Sequence, residues 1–236
     1  MESIATLDQQ LVTAVNALVG QSLVLDRFMA QVMPLPLVKL GPIILLAIWI
    51  WSSRDQAQNQ GRRTMVVLVL GVVCTLATTI IIQNLVPHRP RPIYDPALGL
   101  TIPIGLPPGI LKDWSSFPSD HASISFAMAT AIWLHSRALG AMALIWAALV
   151  VCAPRFFLGL HYPSDLIGGA VIGMVVTTLV SRSPLVGFGE IAVGRAMAFN
   201  AAAFQSGAFV LLYLFMTTFN DLRTIGRLAA KYFGFD

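Results

Sequence analysis

Eight ionisable or hydroxyl side chains lie in two short segments that flank long apolar stretches of the sequence. They are Arg89, Arg91, Ser119, Asp120, His121, Arg155, His161 and Asp165. Ionisable groups that gather at the ends of apolar stretches indicate a functional site, because a membrane interior rarely tolerates them without a use. Each of these side chains also has an ordinary structural role, so only their combination indicates chemistry.

His161 and Asp165 are four positions apart, with Pro163 between them where a helix would begin. On a helix this spacing stacks the two side chains on one face. The carboxylate can then hold one imidazole N–H and leave the other ring nitrogen free to attack. A single histidine near a helix start is more often a cap, but His121 lies in the other segment. Transfer of a phosphoryl group to one histidine needs an acid on the far side of phosphorus, and a second histidine fits that need.

The Ser119–His121 triplet opens the third apolar stretch, where the free backbone N–H groups of a helix start would form an anion site. Arg91 and Arg155 add permanently charged, forked donors that match phosphate oxygens. The structural alternatives are N-capping by Ser119 or Asp120 and a snorkelling Arg155. Two histidines with arginines between them favour in-line phosphoryl transfer over metal binding, because paired arginines repel a cation. No metal and no cofactor are therefore expected.

The elements that must position these groups are membrane helices. Of the 236 residues, 56% are hydrophobic and only 11% are charged, against about 25% charged in a soluble domain. A chain this apolar needs lipid as its solvent. Six long apolar stretches cover residues 36–52, 64–87, 122–135, 139–153, 166–180 and 198–219. The shorter ones are expected to extend into their polar flanks, so the predicted fold class is an all-α integral membrane protein with six transmembrane helices.

The chain is interpreted as a single membrane domain over residues 1–236, with an amphipathic N-terminal segment at 1–30, the six-span bundle at 36–219 and a basic C-terminal tail at 220–236. The apolar residues of 4–19 recur at helical spacing, which predicts an amphipathic helix on the membrane interface. An ordinary surface helix is the alternative. No cleavable signal peptide is expected, since the start lacks a basic region that leads into an apolar core.

The one long connection, residues 87–119, is rich in proline and apolar side chains, so it is expected to fold onto the membrane surface or over a cavity. It lies on the same side of the membrane as residues 154–164, because consecutive spans alternate in direction. The cluster of Arg54, Arg62 and Arg63 falls on the opposite side and marks that side as cytoplasmic. The site is therefore expected to face the periplasmic or extracellular side of the plasma (inner) membrane.

The motifs resemble those of the type 2 phosphatidic acid phosphatase family, whose members share a helical core with vanadium haloperoxidases. The family pattern is Lys, six residues, Arg-Pro; then Pro-Ser-Gly-His; then Ser-Arg, five residues, His, three residues and Asp. Here Arg91 with Pro92, residues 118–121, and residues 154–165 match in order and spacing, although Pro154 replaces the leading serine of the third part and removes one hydroxyl. The resemblance implies a haloperoxidase-like helical core.

The resemblance also implies a role for each matched residue. His161 would be the nucleophile, Asp165 its orienting partner and His121 the general acid. The implied phosphate-binding residues are Arg91, Ser119 and Arg155.

Asn84 occupies the position of the motif lysine, which removes one cation from the phosphate site. The candidates to replace that cation are Arg89, His88 and Lys112. Asn84 itself stays among the expected phosphate-site residues because of its place in the motif.

Asp120 replaces the motif glycine and puts a carboxylate beside a negatively charged substrate. Repulsion would weaken binding unless a cation lies between them, either Arg89 or a divalent ion that a pyrophosphate carries in. N-capping is the structural alternative. The hypothesis is that Asp120 holds His121 or Arg89 in place and so helps to distinguish pyrophosphate from monophosphate lipids.

Residues 117–122, together with Asp26, Met29 and residues 45–49, are most similar to the bacterial undecaprenyl pyrophosphate phosphatases of this family. That resemblance implies removal of the terminal phosphate of undecaprenyl pyrophosphate and recycling of the lipid carrier for cell-wall biogenesis. The expected partners are a lipid phosphate or pyrophosphate and the bilayer. The net charge of +4 is not gathered in a basic run, so no nucleic-acid partner is expected.

Three alternatives stay open. The enzyme alternative is a phosphatidic acid or phosphatidylglycerol phosphate phosphatase. A small-molecule transporter would place charged residues near mid-bilayer on broken helices, whereas here they gather at span ends. A structural membrane partner would use Gly169 and Gly173 as a small-xxx-small packing face, but it leaves the histidines unexplained.

Overall fold

Helices form the regular structure of residues 2–53 and 58–217, the part of the chain that the computed structural model describes. Their bounds are α1 Glu2–Asn16, α2 Leu23–Val32, α3 Pro36–Lys39, α4 Gly41–Ser52, α5 Gln58–Leu85, α6 Asp120–His135, α7 Arg137–Trp146, α8 Ala153–Phe157, α9 Pro163–Ser181 and α10 Pro184–Met216. A 3-10 turn lies at Pro92–Tyr94, and a π-helical turn at Ala147–Cys152 joins α7 to α8. The all-α fold class is confirmed. The predicted tail at 220–236 and Arg54 lie outside the described residues.

Four helical segments in the described ranges are long and apolar enough to cross a membrane. They are Gln60–Leu85, Arg137–Phe157, Pro163–Ser181 and Pro184–Met216. The second of these is α7, the π turn and α8 as one continuous helix, which extends into its polar flanks as expected. Helices α4 and α6 have 12 and 16 residues, fewer than the roughly 20 of a free-standing span. The membrane character of the chain is therefore confirmed, and the count of six spans remains a prediction.

Two predicted boundaries are wrong. Residues 36–52 form two helices that meet at Leu40, because Pro42 near the start of α4 favours a new helix start. The sixth stretch, predicted over residues 198–219, starts earlier than expected, because α10 begins at Pro184. Helix α10 is bent at Asn200, which has a non-helical φ of −157° and ψ of 96°. The Asn200 side chain accepts a hydrogen bond from the Ala203 N–H at 3.0 Å and so caps the second half of the helix.

Helix α6 lies at the centre of the bundle, packed against α5, α7 and α9. It is apolar and buried nearly all round, as expected for a helix enclosed by others. Gly169 and Gly173 of α9 lie directly on α6, where an added Cβ would collide with the carbonyl oxygens of Ser119 and Ser123. The small-residue face is therefore used within the chain, and it fixes the start of α6 against the start of α9.

Helix α1 packs on α8 and α9 with Asp8 and Val12 inward. Its apolar residues Ile4, Leu7 and Leu11 point outward and keep between 41% and 58% of their surface exposed. An apolar face turned away from the protein is what contact with lipid requires. The helix is thus amphipathic as predicted, and its position on the membrane interface remains a prediction.

The long connection folds over α1 and α2. Asn16 and Thr101 exchange two hydrogen bonds of 2.8 Å, and buried Asp26 accepts one from the Ile104 N–H at 3.2 Å. Leu106 is buried in an apolar cluster with the turn between α8 and α9. The connection therefore covers that turn, and its position on the membrane surface remains a prediction.

Candidate active site

His161 lies in the turn between α8 and α9 and is only 2% exposed. The turn is tight because Gly159 has a φ of +66°, a conformation that glycine adopts without strain. The Gly159 carbonyl accepts a hydrogen bond from the Ile93 N–H at 2.9 Å, which ties the turn to the long connection. The local fold thus holds His161 beneath the connection.

Both ring nitrogens of His161 have defined partners. Nδ1 lies 2.9 Å from the Ser116 carbonyl oxygen, while Nε2 lies 3.0 Å from Nη1 of Arg91 and 3.4 Å from Oγ of Ser119. A carbonyl only accepts and a guanidinium only donates, so the proton is on Nδ1 and Nε2 carries a lone pair. Burial holds the pKa of His161 below its usual value; the Arg91 charge acts in the same direction and Asp165 opposes it. The ring is therefore neutral, the form in which Nε2 can attack phosphorus.

Asp165 does not form the predicted hydrogen bond to the imidazole. Its Oδ2 lies 3.8 Å from Nδ1 of His161, beyond hydrogen-bond distance. As the third residue of α9 it caps its own helix, since Oδ2 accepts the Tyr162 N–H at 2.8 Å. His161 precedes the helix, so the i,i+4 stacking expected from the sequence does not apply. The Ser116 carbonyl orients the ring instead, and Asp165 acts on it through its charge.

Arg89 is held by two carboxylates. Its Nη1 lies 2.6 Å from Oδ1 of Asp165 and its Nη2 lies 2.8 Å from Oδ2 of Asp8, with the guanidinium 3.9 Å above the Tyr162 ring. Asp8 also accepts hydrogen bonds from the backbone N–H and the hydroxyl of Ser164. Arg89 is thus committed to these partners, and the structure does not present it as a phosphate ligand. The sequence pattern marks Asp8 only as a polar position of α1, so its link to the site was not predicted.

Ser119, Asp120 and His121 form the start of α6. Ser119 is the N-cap, and its buried Oγ accepts from the Ala122 N–H at 3.5 Å. Oδ1 of Asp120 accepts from both the backbone N–H and Nδ1 of His121 at 2.8 Å. The N-cap alternative for Asp120 is therefore wrong: this carboxylate orients His121 and leaves Nε2 as the ring atom for proton exchange. The expected bridge from Asp120 to Arg89 is not formed, because Arg89 is paired elsewhere.

Arg91 and Arg155 are both buried, with 4% and 2% of their surface exposed. Arg91 is fixed by the carbonyls of Leu160 at 2.8 Å and Leu111 at 3.1 Å. Nη1 of Arg155 donates to the Val151 carbonyl at 2.7 Å, whereas its Nη2 has no hydrogen-bond partner among the described residues. A buried charged donor without an acceptor is costly, so it indicates that an anion binds at this point.

Asn84 lies outside this cluster. Its side chain is exposed, and Nδ2 donates to the Ile80 carbonyl of its own helix at 2.8 Å. Lys39 of α3, which the motifs did not indicate, is 5% exposed and interacts electrostatically with Arg155 and Asp120. Its distance from the motifs along the sequence explains why pattern reasoning missed it.

The arrangement is suited to phosphoryl transfer. It combines a neutral imidazole with a free lone pair, an oriented second imidazole, two buried guanidinium groups and a helix start. Asp120 acts electrostatically on both His121 and His161, so the two histidines share one electrostatic environment. Within the described ranges, no three His, Cys, Asp or Glu side chains gather as a metal site.

The fold and the site define a membrane phosphatase, and the comparisons with known proteins agree. The family model described as the PAP2 superfamily matches residues 64–186, just over half of the chain. The chain therefore belongs to the PAP2 superfamily, which confirms the resemblance in its motifs. The class of enzyme expected from the sequence, a lipid phosphatase, is confirmed with it.

Two curated relatives and one solved structure are similar to the chain. The putative undecaprenyl-diphosphatase YbjG of Escherichia coli is 28% identical over 143 residues, which span 59% of this chain and 64% of that protein, just under two thirds of it. The undecaprenyl-diphosphatase BcrC of Bacillus subtilis is 26% identical over 176 residues, 75% of this chain and 83% of that protein. The crystal structure of a transmembrane PAP2-type phosphatidylglycerolphosphate phosphatase from Bacillus subtilis is 19% identical, covers 76% of this chain and 85% of that chain, and has a TM-score of 0.47.

Proposed function

We propose that the chain removes the terminal phosphate of undecaprenyl pyrophosphate and yields undecaprenyl phosphate, through a phosphohistidine on His161. The observation that carries this proposal is the buried, neutral His161, whose Nε2 lone pair lies beside Arg91 and Ser119 at 3.0 and 3.4 Å. A histidine with only a structural role does not need a cation and a helix start at its free nitrogen.

The proposed reaction has two steps. Nε2 of His161 attacks the terminal phosphorus and the P–N bond forms, while the bond to the bridging oxygen breaks and protonated His121 gives that oxygen its proton. In the second step His121 takes a proton from water, the water oxygen attacks the phosphohistidine, and the P–N bond breaks to release inorganic phosphate. Arg91, Arg155 and the N–H groups at the start of α6 stabilise the charge on the transferred oxygens.

The choice of lipid has two supports. YbjG and BcrC are named as undecaprenyl-diphosphatases, and both are similar to this chain. The apolar connection that covers the site also provides a surface for an isoprenoid tail that enters from the bilayer, with Ile102 and Trp114 exposed on it by 64% and 52%. We place the reaction on the outer face of the plasma membrane, where the lipid carrier is recycled for cell-wall biogenesis.

Phosphate release from purified protein tests the proposal. We expect release from undecaprenyl pyrophosphate in detergent micelles with a chelator present, and slower release from phosphatidic acid and phosphatidylglycerol phosphate at the same surface concentration. The His161→Ala variant is the matched control for contaminating phosphatases. Faster turnover of either glycerolipid would assign the enzyme to the alternative substrate class, and the absence of release from all three lipids would refute a phosphatase role.

A further inference from the structure

The position that carries lysine in the family motif is vacant in this chain, and a different lysine lies at the site. Asn84 is exposed and bonded to its own helix, whereas Lys39 is 5% exposed at the end of α3. A lysine is rarely buried unless its charge has a partner. The burial of Lys39 therefore calls for a negatively charged partner within the site.

Lys39 is fixed to the helix that carries Arg155. Nε1 of Trp146 donates to the carbonyl oxygens of both Val38 and Lys39 at 3.1 Å. The short helix α3 also packs on the π turn Ala147–Cys152, whose Val151 carbonyl holds Nη1 of Arg155. The two cations are thus anchored on one rigid unit.

The charged groups around Lys39 are not balanced by carboxylates, so an anion would be stabilised there. Lys39 is repelled by Arg155 and attracted by Asp120, and it also acts on His121. Lys39 and Arg155 therefore share the Asp120 carboxylate, which also acts on Arg91, and Nη2 of Arg155 has no partner among the described residues. This excess positive charge in a buried place is stabilised when a substrate brings negative charge.

The electrostatic partners of Lys39 include His121 and Asp120, the pair that would protonate the leaving oxygen. The charged neighbours that act on His161 are Arg91, Asp165 and Asp120. In an in-line transfer, nucleophile and leaving oxygen lie on opposite sides of phosphorus. For a diphosphate substrate, the group that leaves toward His121 is itself a phosphate.

We propose that Lys39 binds the retained phosphate of a lipid diphosphate and so makes the enzyme prefer diphosphates to monophosphates. This inference deepens the proposed function and rests on it. The ammonium group would neutralise charge that builds up on the departing phosphate, a contribution that a monophosphate with an alcohol leaving group cannot use. Lys39 also supplies the cation beside Asp120, in place of the Arg89 or divalent ion expected from the sequence.

The test compares farnesyl diphosphate with farnesyl monophosphate, which share one tail. We expect Lys39→Met to lower kcat/KM for the diphosphate by about tenfold to a hundredfold, the range for loss of one hydrogen bond to a charged group. The monophosphate value should change by less than about threefold, and Lys39→Arg should keep most of the preference. Arg27→Met, which removes an exposed charge from α2, is the control and should leave both values unchanged.

Parallel loss of both activities in Lys39→Met, or no change in either, would overturn the assignment. A second readout separates it from the proposed function. Inorganic pyrophosphate should raise the thermal midpoint of the wild type more than orthophosphate does, and Lys39→Met should lose that difference. Suppose that the protein releases no phosphate from any lipid, but pyrophosphate still stabilises the wild type more than orthophosphate does and Lys39→Met loses that effect. The proposed function is then refuted, and the role of Lys39 stands. Equal stabilisation of wild type and Lys39→Met by pyrophosphate would refute that role.

Discussion

At the scale of single residues, each histidine of the site is oriented by one fixed acceptor at Nδ1. For His161 it is the Ser116 carbonyl at 2.9 Å, and for His121 it is the Asp120 carboxylate at 2.8 Å. In both rings Nδ1 therefore carries a proton, and Nε2 is the nitrogen left for chemistry. The proposed mechanism uses Nε2 of His161 for attack on phosphorus and Nε2 of His121 for proton exchange.

The activity should fall as the pH drops through the pKa of His161, because protonation removes the Nε2 lone pair. Burial holds that pKa below the ordinary value of 6.5, and Asp165 partly opposes the shift. The Asp165→Asn variant loses the charge that favours the imidazolium, so its acidic limb in kcat/KM should move to lower pH. A pH profile of both enzymes measures the shift, and a limb that moves to higher pH would contradict the neutral nucleophile.

At the scale of elements, the site depends on the contact between the starts of α6 and α9. Ser119 at the N-cap of α6 donates its backbone N–H to the Asp165 carbonyl in α9 at 3.2 Å. Gly169 and Gly173 allow the two backbones to approach this closely. Helix α1 joins the same assembly through the Asp8–Arg89 ion pair, so an N-terminal helix contributes to the hydrogen-bond network around Asp165.

The Gly173→Ala variant tests that contact. The new methyl group would collide with the Ser123 carbonyl, and overpacking of this kind costs about 1–3 kcal/mol. We expect a lower thermal midpoint in detergent together with reduced activity. Gly187→Ala in α10 is the matched control, since a Cβ there meets no atom within 4 Å and alanine favours a helix over glycine. Equal midpoints for the two variants would show that the contact is not tight.

The motifs were enough to predict where α6 starts and that a turn carries His161, because those features depend on local sequence. They also identified Arg91 and Arg155 as residues of the site. The orienting partner of His161 was not predictable, since a backbone carbonyl such as that of Ser116 leaves no mark on residue type. Asp165 took another role because a carboxylate at the third position of a helix caps its own first turn.

Contacts between residues that are far apart in sequence explain the other differences between the predictions and the structure. Lys39 and Asp8 are far from the motifs in sequence, and only tertiary packing brings them near Asp120 and Arg89. Proline positions, which set where α4 and α10 begin, account for the two boundaries that hydropathy alone placed wrongly.

At the scale of the whole molecule, the residues of the site lie together at one end of the bundle. The ends of α5 and α8 and the starts of α6 and α9 meet there under the long connection, while Arg63 at the other end pairs with Glu190 at 3.3 Å. The chain therefore has two chemically different ends. An outward site with Arg62 and Arg63 toward the cytoplasm remains the orientation that the positive-inside rule favours.

Cysteine labelling in intact cells tests the orientation. In a background with Cys74 and Cys152 replaced by alanine, Ala97→Cys in the long connection should react with an impermeant thiol reagent. Gln58→Cys near Arg62 and Arg63 should react only after the membrane is permeabilised. The reverse pattern would place the site in the cytoplasm and refute a role on the outer face.

The most direct measurement of the central claim is identification of the phosphorylated residue. Rapid quenching without acid during turnover of substrate labelled in its terminal phosphate should leave label on His161, because acid would cleave the P–N bond. The His161→Ala variant should carry no label and lose activity by about a thousandfold or more, as expected for the loss of a nucleophile. Label on Ser119, or retention of more than about a tenth of the activity in His161→Ala, would contradict the phosphohistidine mechanism.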